Sequence, residues 1–265
     1  MKKIYFIIIN LSIILSSCEK VIDVDLNDAE PVIVVEGYLT DIEGMNYVLL
    51  SKSNSFYTTG EVEKLEGAEV EVVSGNGISY KLDEEEKGYY RNQNLKVETN
   101  QNYKLNIRYG STILQSVSNS PSAVKIDSIE IMSSEFSRPE KELYRIICHF
   151  RDSPDEVNFY RLRLFIGDDI LKGFYVMNDK FLGGESVSYP FDGVEMEDNS
   201  TVRVELLGVD ESNYEYFYTL SRIMGMGQDI IPGNPPTNIE GDAIGIFGAN
   251  TFDSKTVVFK KQELD

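Results

Sequence analysis

Short alternations of apolar and polar residues recur along most of the chain, and they predict strands. Residues 103–109 alternate strictly, which indicates a strand with one buried face and one face in water. Residues 201–207 repeat the pattern. The segment 159–166 places Arg161 and Arg163 on the face opposite Tyr160, Leu162, Leu164 and Ile166. Abundant Tyr, Phe, Val and Ile favour the same structure. The chain is therefore predicted to be mainly β.

Turn residues divide the candidate strands into two consecutive groups. Ser74-Gly-Asn-Gly77 is typical of a hairpin turn and connects a strand at 68–73 to one at 78–82. This spacing predicts an N-terminal β-sandwich over 31–121 and a C-terminal β-sandwich over 122–265. The other predicted strands are 32–39, 47–51, 112–117, 125–132, 143–150, 244–249 and 255–261. The glycines of 244–249 indicate a close approach of another backbone.

One segment has helical spacing instead. Ser212-Asn-Tyr-Glu215 fits a capping box, and aromatic residues follow it at intervals of three and four, which predicts a helix over 212–224. The aromatic stripe Tyr214, Phe217, Tyr218, Ser221 and Met224 is interpreted as core, with ligand stacking as the alternative. A loop rich in Gly and Pro is predicted over 225–241.

The beginning of the chain has the three zones of an export signal. Lys2 and Lys3 precede an apolar run from Ile4 to Leu15, which is shorter than the roughly 20 residues of a membrane span. Leu15-Ser-Ser-Cys18 resembles the lipobox of bacterial lipoproteins, which implies a signal peptide over 1–17 and lipid attachment at Cys18. An ordinary signal peptide with a coincidental cysteine is the alternative. Residues 18–30 are predicted to form an acidic tether.

The charge excludes one class of partner. The formal net charge is −19, from 44 acidic and 25 basic residues, so the surface repels phosphate backbones and nucleic-acid binding is not expected. The charge is interpreted as a solvated surface, with calcium binding as the lesser alternative. Cys148 lies among apolar residues and is predicted to be a small core residue.

The sequence offers no recognisable catalytic or cofactor motif. The single histidine, His149, lies on an alternating segment and has no nucleophile at a recognisable spacing, so it is predicted to lie in the core or at a sheet edge. Two acidic clusters could hold calcium or could be solvated turns: Asp152, Asp155 and Glu156, and then Asp192, Glu195, Glu197 and Asp198. We therefore expect no enzyme activity, no cofactor and no metal.

The order of these features resembles a family of Bacteroidota lipoproteins catalogued as domain of unknown function 4249. The likeness begins at Cys18-Glu-Lys-Val-Ile-Asp-Val-Asp25 and Pro31-Val-Ile-Val-Val-Glu-Gly-Tyr38. It continues through Lys125-Ile-Asp-Ser-Ile129, Val157-Asn-Phe-Tyr-Arg161, Tyr214-Glu-Tyr-Phe-Tyr218, Asn234-Pro-Pro-Thr-Asn238 and Gly245-Ile-Phe-Gly248. The chain lacks the Phe that often follows Asn-Pro in the C-terminal loop of this family.

The resemblance implies a transthyretin-like first module, similar to carboxypeptidase regulatory domains, and an immunoglobulin-like second module. It also implies a location in the outer membrane and a TonB-dependent β-barrel importer as partner, on which the protein would dock as a non-enzymatic accessory subunit. Because loops on rigid scaffolds carry recognition, the predicted contact residues are Gln228, Asp229, Pro232, Asn234, Pro235, Pro236 and Asn238.

Two alternative functions use other residues. A stand-alone surface module that binds glycan or peptide would use exposed tyrosines among Tyr57, Tyr89, Tyr90 and Tyr189, although each of these could equally pack on a sheet. A hydrolase would need convergent carboxylates in a cleft, and the sequence singles out no such pair.

Overall fold

The computed structural model describes residues 31–54, 61–138, 140–151, 157–180, 186–225 and 234–261. Within these residues the protein is mainly β with one helix, which confirms the predicted fold class. The strands of the N-terminal part are β1 (Ile33–Thr40), β2 (Tyr47–Lys52), β3 (Glu69–Ser74), β4 (Ser79–Glu86), β5 (Tyr89–Arg91), β6 (Asn102–Tyr109) and β7 (Thr112–Asn119).

The C-terminal part contains further strands and the helix. The strands are β8 (Ile126–Ser133), β9 (Tyr144–Arg151), β10 (Phe159–Ile166), β11 (Asp169–Ile170), β12 (Tyr175–Asn178), β13 (Ser186–Val194), β14 (Thr201–Val209), β15 (Ile239–Glu240) and β16 (Ala243–Val258). The helix is α1 (Glu211–Ile223). The short strands β5, β11, β12 and β15 have too few residues for a readable pattern, and β13 contains Pro190, which an edge strand tolerates.

The strands form two sheets. The larger sheet has the order β11-β10-β14-β16-β1-β2-β5-β4-β3-β6-β7-β15, and β12 also pairs with β10. The smaller sheet has the order β13-β9-β8. Among the pairs of described strands, only β1 and β16 run parallel. The turn at Ser74 to Gly77 connects β3 to β4 as predicted, with Gly77 at a φ of +85°.

The C-terminal strand corrects a prediction. The segments 244–249 and 255–261 are not separate strands, because β16 runs unbroken from Ala243 to Val258. Its first half pairs with β1 and its second half pairs with β14. The polar residues between them do not form a turn because they find partners: Asn250 donates to the Leu39 carbonyl, and Asp253 accepts from the Ile126 amide.

The buried apolar residues form two main cores. The first is built from β1 to β7 and includes Val35, Leu105 and, from β16, Phe247. The second lies between the smaller sheet and strands β10 and β14 and includes Phe150 and Leu164. Most residues of the first core precede the predicted boundary between 121 and 122, and the residues of the second core follow it. The independence of the two parts as domains stays a prediction.

The helix begins earlier than predicted. Its N-cap is Asp210, whose side chain accepts from the Asn213 amide, so the predicted capping box at Ser212 is wrong. An aspartate caps a helix as well as a serine does. The spacing of Ser212 and Glu215 fits a capping box, and it therefore draws attention away from Asp210 as the N-cap. Among the described residues, no helix combines the length and apolar character needed to cross a membrane.

Candidate functional site

A pocket lies between α1 and the face of the larger sheet that carries Arg161 and Arg163. Its volume is about 300 Å³, at the lower end of the range typical of small-molecule sites. We call it the arginine pocket. It is lined by Glu36, Gly37, Tyr38, Tyr47, Arg161, Arg163, Phe174, Leu207, Val209, Asn213, Tyr216, Phe217, Leu220, Ile246 and Asn250.

The position of α1 depends on hydrogen bonds at its first turn. Asp210 Oδ1 accepts from the backbone amide and the side-chain amide of Asn213, at 2.9 and 2.7 Å. Asp210 Oδ2 accepts from Ser118 Oγ on β7, at 2.5 Å. Asn213 also donates to the Phe247 carbonyl, which it reaches because Gly248 has no side chain: a Cβ there would lie 2.4 Å from Asn213 Oδ1. These contacts fix the start of the helix over the sheet.

The aromatic stripe of α1 is divided between packing and the pocket. Tyr214 packs on Phe159 with 5.1 Å between ring centroids, and its hydroxyl accepts from Asn178. Ser221 is buried, whereas Tyr218 and Met224 are exposed. Phe217 lines the pocket. The interpretation of the stripe as core therefore holds for part of it, and Phe217 forms part of the pocket wall.

Arg161 is the distinctive residue of the pocket. Its guanidinium carbon lies 3.6 Å from the ring centroid of Phe217 and 5.9 Å from that of Phe174. It forms no ion pair with a carboxylate of the described residues. Burial, and then the like charge of Arg163, lower the pKa of Arg161 to about 10, so it is still charged at neutral pH.

Arg163 lies on the same strand and the same face, but it has a carboxylate partner. It forms an ion pair with Glu205 at 2.6 Å, and it donates to the Tyr38 hydroxyl at 3.1 Å. Glu205 is buried and also pairs with Arg203. The alternation of 159–166 predicts the facing of both arginines correctly. It does not predict that α1 covers this face, which makes Arg161 a pocket residue and not a solvated one.

A row of stacked rings leads away from the pocket. Tyr38 and Tyr47 have ring centroids 5.5 Å apart, and Tyr47 and Tyr89 stack at 5.4 Å. We call these three residues the tyrosine row. The guanidinium of Arg163 lies over its first ring, and that of Arg91 lies over its last ring. All three tyrosines are partly exposed, so their rings form a surface continuous with the arginine pocket.

The tyrosines named from the sequence have different positions. Tyr89 belongs to the tyrosine row, as a binding surface requires. Tyr90 is buried, with its hydroxyl bonded to Leu65 and Ala68, so it packs on the sheet, which is the alternative stated for it above. It is buried because neighbouring strand residues face opposite sides. Tyr189 packs on Phe191, and Tyr57 lies outside the described residues.

The predicted partner-contact residues are only partly described. Gln228, Asp229 and Pro232 lie outside the described residues, as does the predicted lipid attachment site Cys18. Asn234 and Pro236 are exposed, and Pro235 is half-buried. Asn238 holds the edge of the sheet: its side chain donates to the Phe247 carbonyl at 2.8 Å and accepts from the Phe247 amide at 2.9 Å. Their contact with a partner stays a prediction.

The acidic cluster at 192–198 has cationic partners. Asp192 pairs with Arg145, and Glu195 pairs with Lys141 at 2.5 Å. Asp198 accepts from the Lys261 amide. Across the described residues, no group of three acidic, Cys or His side chains is placed to hold a metal ion. The first acidic cluster, Asp152, Asp155 and Glu156, lies outside them.

The prediction that His149 lies in the core or at a sheet edge is wrong, because β9 is the middle strand of the smaller sheet and the His149 side chain is partly exposed. On the outer face of the smaller sheet, its Nδ1 lies 2.9 Å from Ser188 Oγ and its Nε2 lies 3.1 Å from Glu130. These residue types form hydrolytic triads, but a triad also needs donors aimed at an oxyanion and exclusion of water. The group lies on an exposed sheet face, so we interpret it as a cross-strand polar cluster. Buried Cys148 is a core residue as predicted, and burial raises the pKa of its thiol to about 12.

The fold and the site define a class of protein: mainly β, with a single described helix that covers an arginine pocket on the larger sheet. The chain belongs to the family described as Domain of unknown function (DUF4249), whose model matches residues 19–256. Comparison with curated proteins found no match.

Proposed function

We propose that this protein is a non-enzymatic, lipid-anchored binding protein of the outer membrane of Bacteroidota. It captures a small ligand in the arginine pocket and docks as an accessory subunit on a TonB-dependent β-barrel importer. The observation that carries the binding role is Arg161, a charged side chain that lies in an open pocket without a counter-ion among the described residues.

The lipid anchor is supported by the sequence at the signal segment. A basic start, a short apolar run and Leu15-Ser-Ser-Cys18 together favour acylation of Cys18. Each acyl CH₂ in the bilayer contributes roughly 0.8 kcal/mol, so a multiply acylated cysteine holds a protein firmly at a membrane. Mass spectrometry of the membrane-extracted protein is expected to find a lipidated Cys18 at the amino terminus. An unmodified residue there would refute the anchor.

The docking role is supported by the family likeness and by the exposed segment before β15. Asn234 and Pro236 project from a chain that Asn238 fixes to the sheet, so they form a firmly held contact surface. Affinity purification from intact membranes is expected to recover a β-barrel with the wild-type protein and less of it with Asn234→Ala/Pro236→Ala. Ile170→Ala, which removes an exposed side chain of β11 at the opposite end of the larger sheet, is the control. Purification of the wild type without any barrel would refute docking.

The alternative is a surface module that binds a glycan or peptide without an obligate barrel. The tyrosine row favours it, because partly exposed stacked rings suit sugars and extended peptides. The two functions differ in one result. A stand-alone module binds its ligand with an affinity that Tyr47→Ala lowers. Affinity purification of such a module from membranes recovers no barrel.

A further inference from the structure

We propose that Arg161 binds the carboxylate of a small monoanionic ligand whose ring lies against the aromatic wall of the arginine pocket. The inference rests on the proposed binding function and names the class of ligand. The argument begins with the charge of Arg161 and continues with the shape and charge of its surroundings.

An arginine without a carboxylate partner is unexpected in this chain. Acidic residues outnumber basic ones by 44 to 25, and the neighbouring Arg163 has Glu205. Moving a charged group out of water costs free energy unless an opposite charge or hydrogen bonds offset that cost. No carboxylate of the described residues does so for Arg161. An anionic ligand supplies the missing partner, and the planar guanidinium fork matches a carboxylate with two parallel hydrogen bonds.

The surrounding charges favour one negative charge on the ligand. Arg163 is already paired with Glu205, so Arg161 is the free cation among the described lining residues. Glu36, an exposed carboxylate, also lines the pocket and repels a second negative charge. A phosphate dianion fits this balance poorly, and a carboxylate monoanion fits it well.

The walls favour a ring beside the carboxylate. Phe217 lies under the guanidinium, and Phe174, Tyr216 and Tyr47 line the same pocket. Flat aromatic faces pack against aryl rings and against the apolar faces of sugar rings. The tyrosine row extends this surface beyond the pocket. A hexuronate sugar and an aryl carboxylate share the required chemistry, a carboxylate carried on a ring.

The test is calorimetric titration of the full chain, purified from membranes in a non-ionic detergent. The probes are two matched pairs: galacturonate with galactose, and benzoate with benzamide. We expect the acidic member of at least one pair to bind tenfold or more tightly than its neutral partner. The pair that shows this preference tells whether the ring of the ligand is a sugar ring or an aryl ring. Equal binding within both pairs, or no binding of any probe, would overturn the inference.

Variants assign the preference to Arg161. Arg161→Met is expected to reduce the acidic probe to the affinity of its neutral partner, and Arg161→Lys to restore part of the difference because a point charge lacks the fork. Arg108→Gln removes the same charge from an exposed position on β6 and should change the affinity less than twofold. An unchanged preference in Arg161→Met would also overturn the inference. Circular dichroism and thermal unfolding verify that each variant is folded.

This design separates failure of the inference from failure of the proposed function. A barrel recovered by affinity purification with no carboxylate preference in the titration leaves docking standing and removes the ligand class. Arg161-dependent carboxylate binding without a barrel removes docking and leaves the ligand class standing.

Discussion

At the scale of single residues, the two arginines of β10 show how identical side chains on one strand face acquire different roles. Arg163 pairs with Glu205 and donates to Tyr38, whereas Arg161 lies over the ring of Phe217 and pairs with no carboxylate of the described residues. The alternation of the sequence gives their facing, since strand side chains alternate. It does not give their partners, because Glu205 comes from a different strand and Phe217 comes from the helix.

This difference predicts opposite effects on stability. Burial lowers the pKa of Arg161 below its ordinary value, so at pH 7 the folded state carries a charge that it disfavours. Arg161→Met is expected to leave the free energy of unfolding unchanged or to raise it by about 1 kcal/mol. Arg163→Met removes one partner of buried Glu205 and is expected to lower it by about 2 kcal/mol. Urea denaturation at pH 7 measures both values.

The pH dependence of the Arg161 contribution has a defined sign. Above a pH of about 10, the folded protein releases the Arg161 proton before the unfolded chain does. The unfolded state then binds more protons, so this contribution to stability rises with pH. Any gain in stability of Arg161→Met over the wild type should therefore shrink above pH 10. A loss of more than about 2 kcal/mol in Arg161→Met at pH 7 would instead assign Arg161 to the fold.

Gly245 allows the parallel pair of β1 and β16 to form. Its φ is +120°, and an added Cβ would lie 2.0 Å from the Val35 carbonyl oxygen. Gly245→Ala is expected to cost at least about 3 kcal/mol, from backbone strain and from displacement of β1. Gly110→Ala also has a positive φ but has open space around it, and it should cost only about 1 kcal/mol. Equal losses in urea denaturation would show that conformation alone, and not close approach, requires Gly245.

At the scale of elements, strands with a strict pattern could be predicted from the sequence, and elements defined by distant contacts could not. β10 has the predicted bounds, and β6 differs by one residue at its start. The sequence does not predict the first turn of α1 correctly, because Asp210 is fixed by Ser118 on β7, a partner 92 positions away. Polar residues inside β16 resemble a turn until their partners from other strands are known.

The same cap gives a prediction for α1. Asp210→Ala removes an N-cap and the contact with β7, so a loss of about 2 kcal/mol in the free energy of unfolding is expected. Asp210→Asn keeps an acceptor for the Asn213 amide and should lose about half as much. Glu211→Ala, at the exposed next position, is the control and should change stability by less than about 0.5 kcal/mol. Thermal or urea unfolding measures all three, and a silent Asp210→Ala would show that α1 is held by packing alone.

At the scale of the molecule, the long-range pairing is the part that local pattern could not reveal. The sequence predicts two groups of strands, and the described residues do form two cores. The parallel pairing of β1 with β16 joins Val35 to Gly245. No local alternation specifies which strands become neighbours over such a distance. The pocket depends on this pairing, because Glu36 and Tyr38 reach it from β1 and Asn250 from β16.

Shared use of β16 predicts cooperative unfolding. The strand pairs with β1 in its first half and with β14 in its second half, so neither core keeps its sheet intact when the other unfolds. Urea denaturation is expected to show a single transition, with coincident curves from circular dichroism and tyrosine fluorescence. Two separated transitions would show that the cores unfold independently. Gly245→Ala should then shift only one of them, whereas in the cooperative case it shifts the whole curve.

The late position of β16 also has a consequence for biogenesis. A polypeptide that is made amino end first delivers β1 long before its parallel neighbour β16 arrives. One side of β1 therefore has unpaired amide and carbonyl groups until β16 has emerged, and exposed edges of this kind invite aggregation. Chaperones that shield strand edges are consequently expected to influence the yield of this protein more than its equilibrium stability.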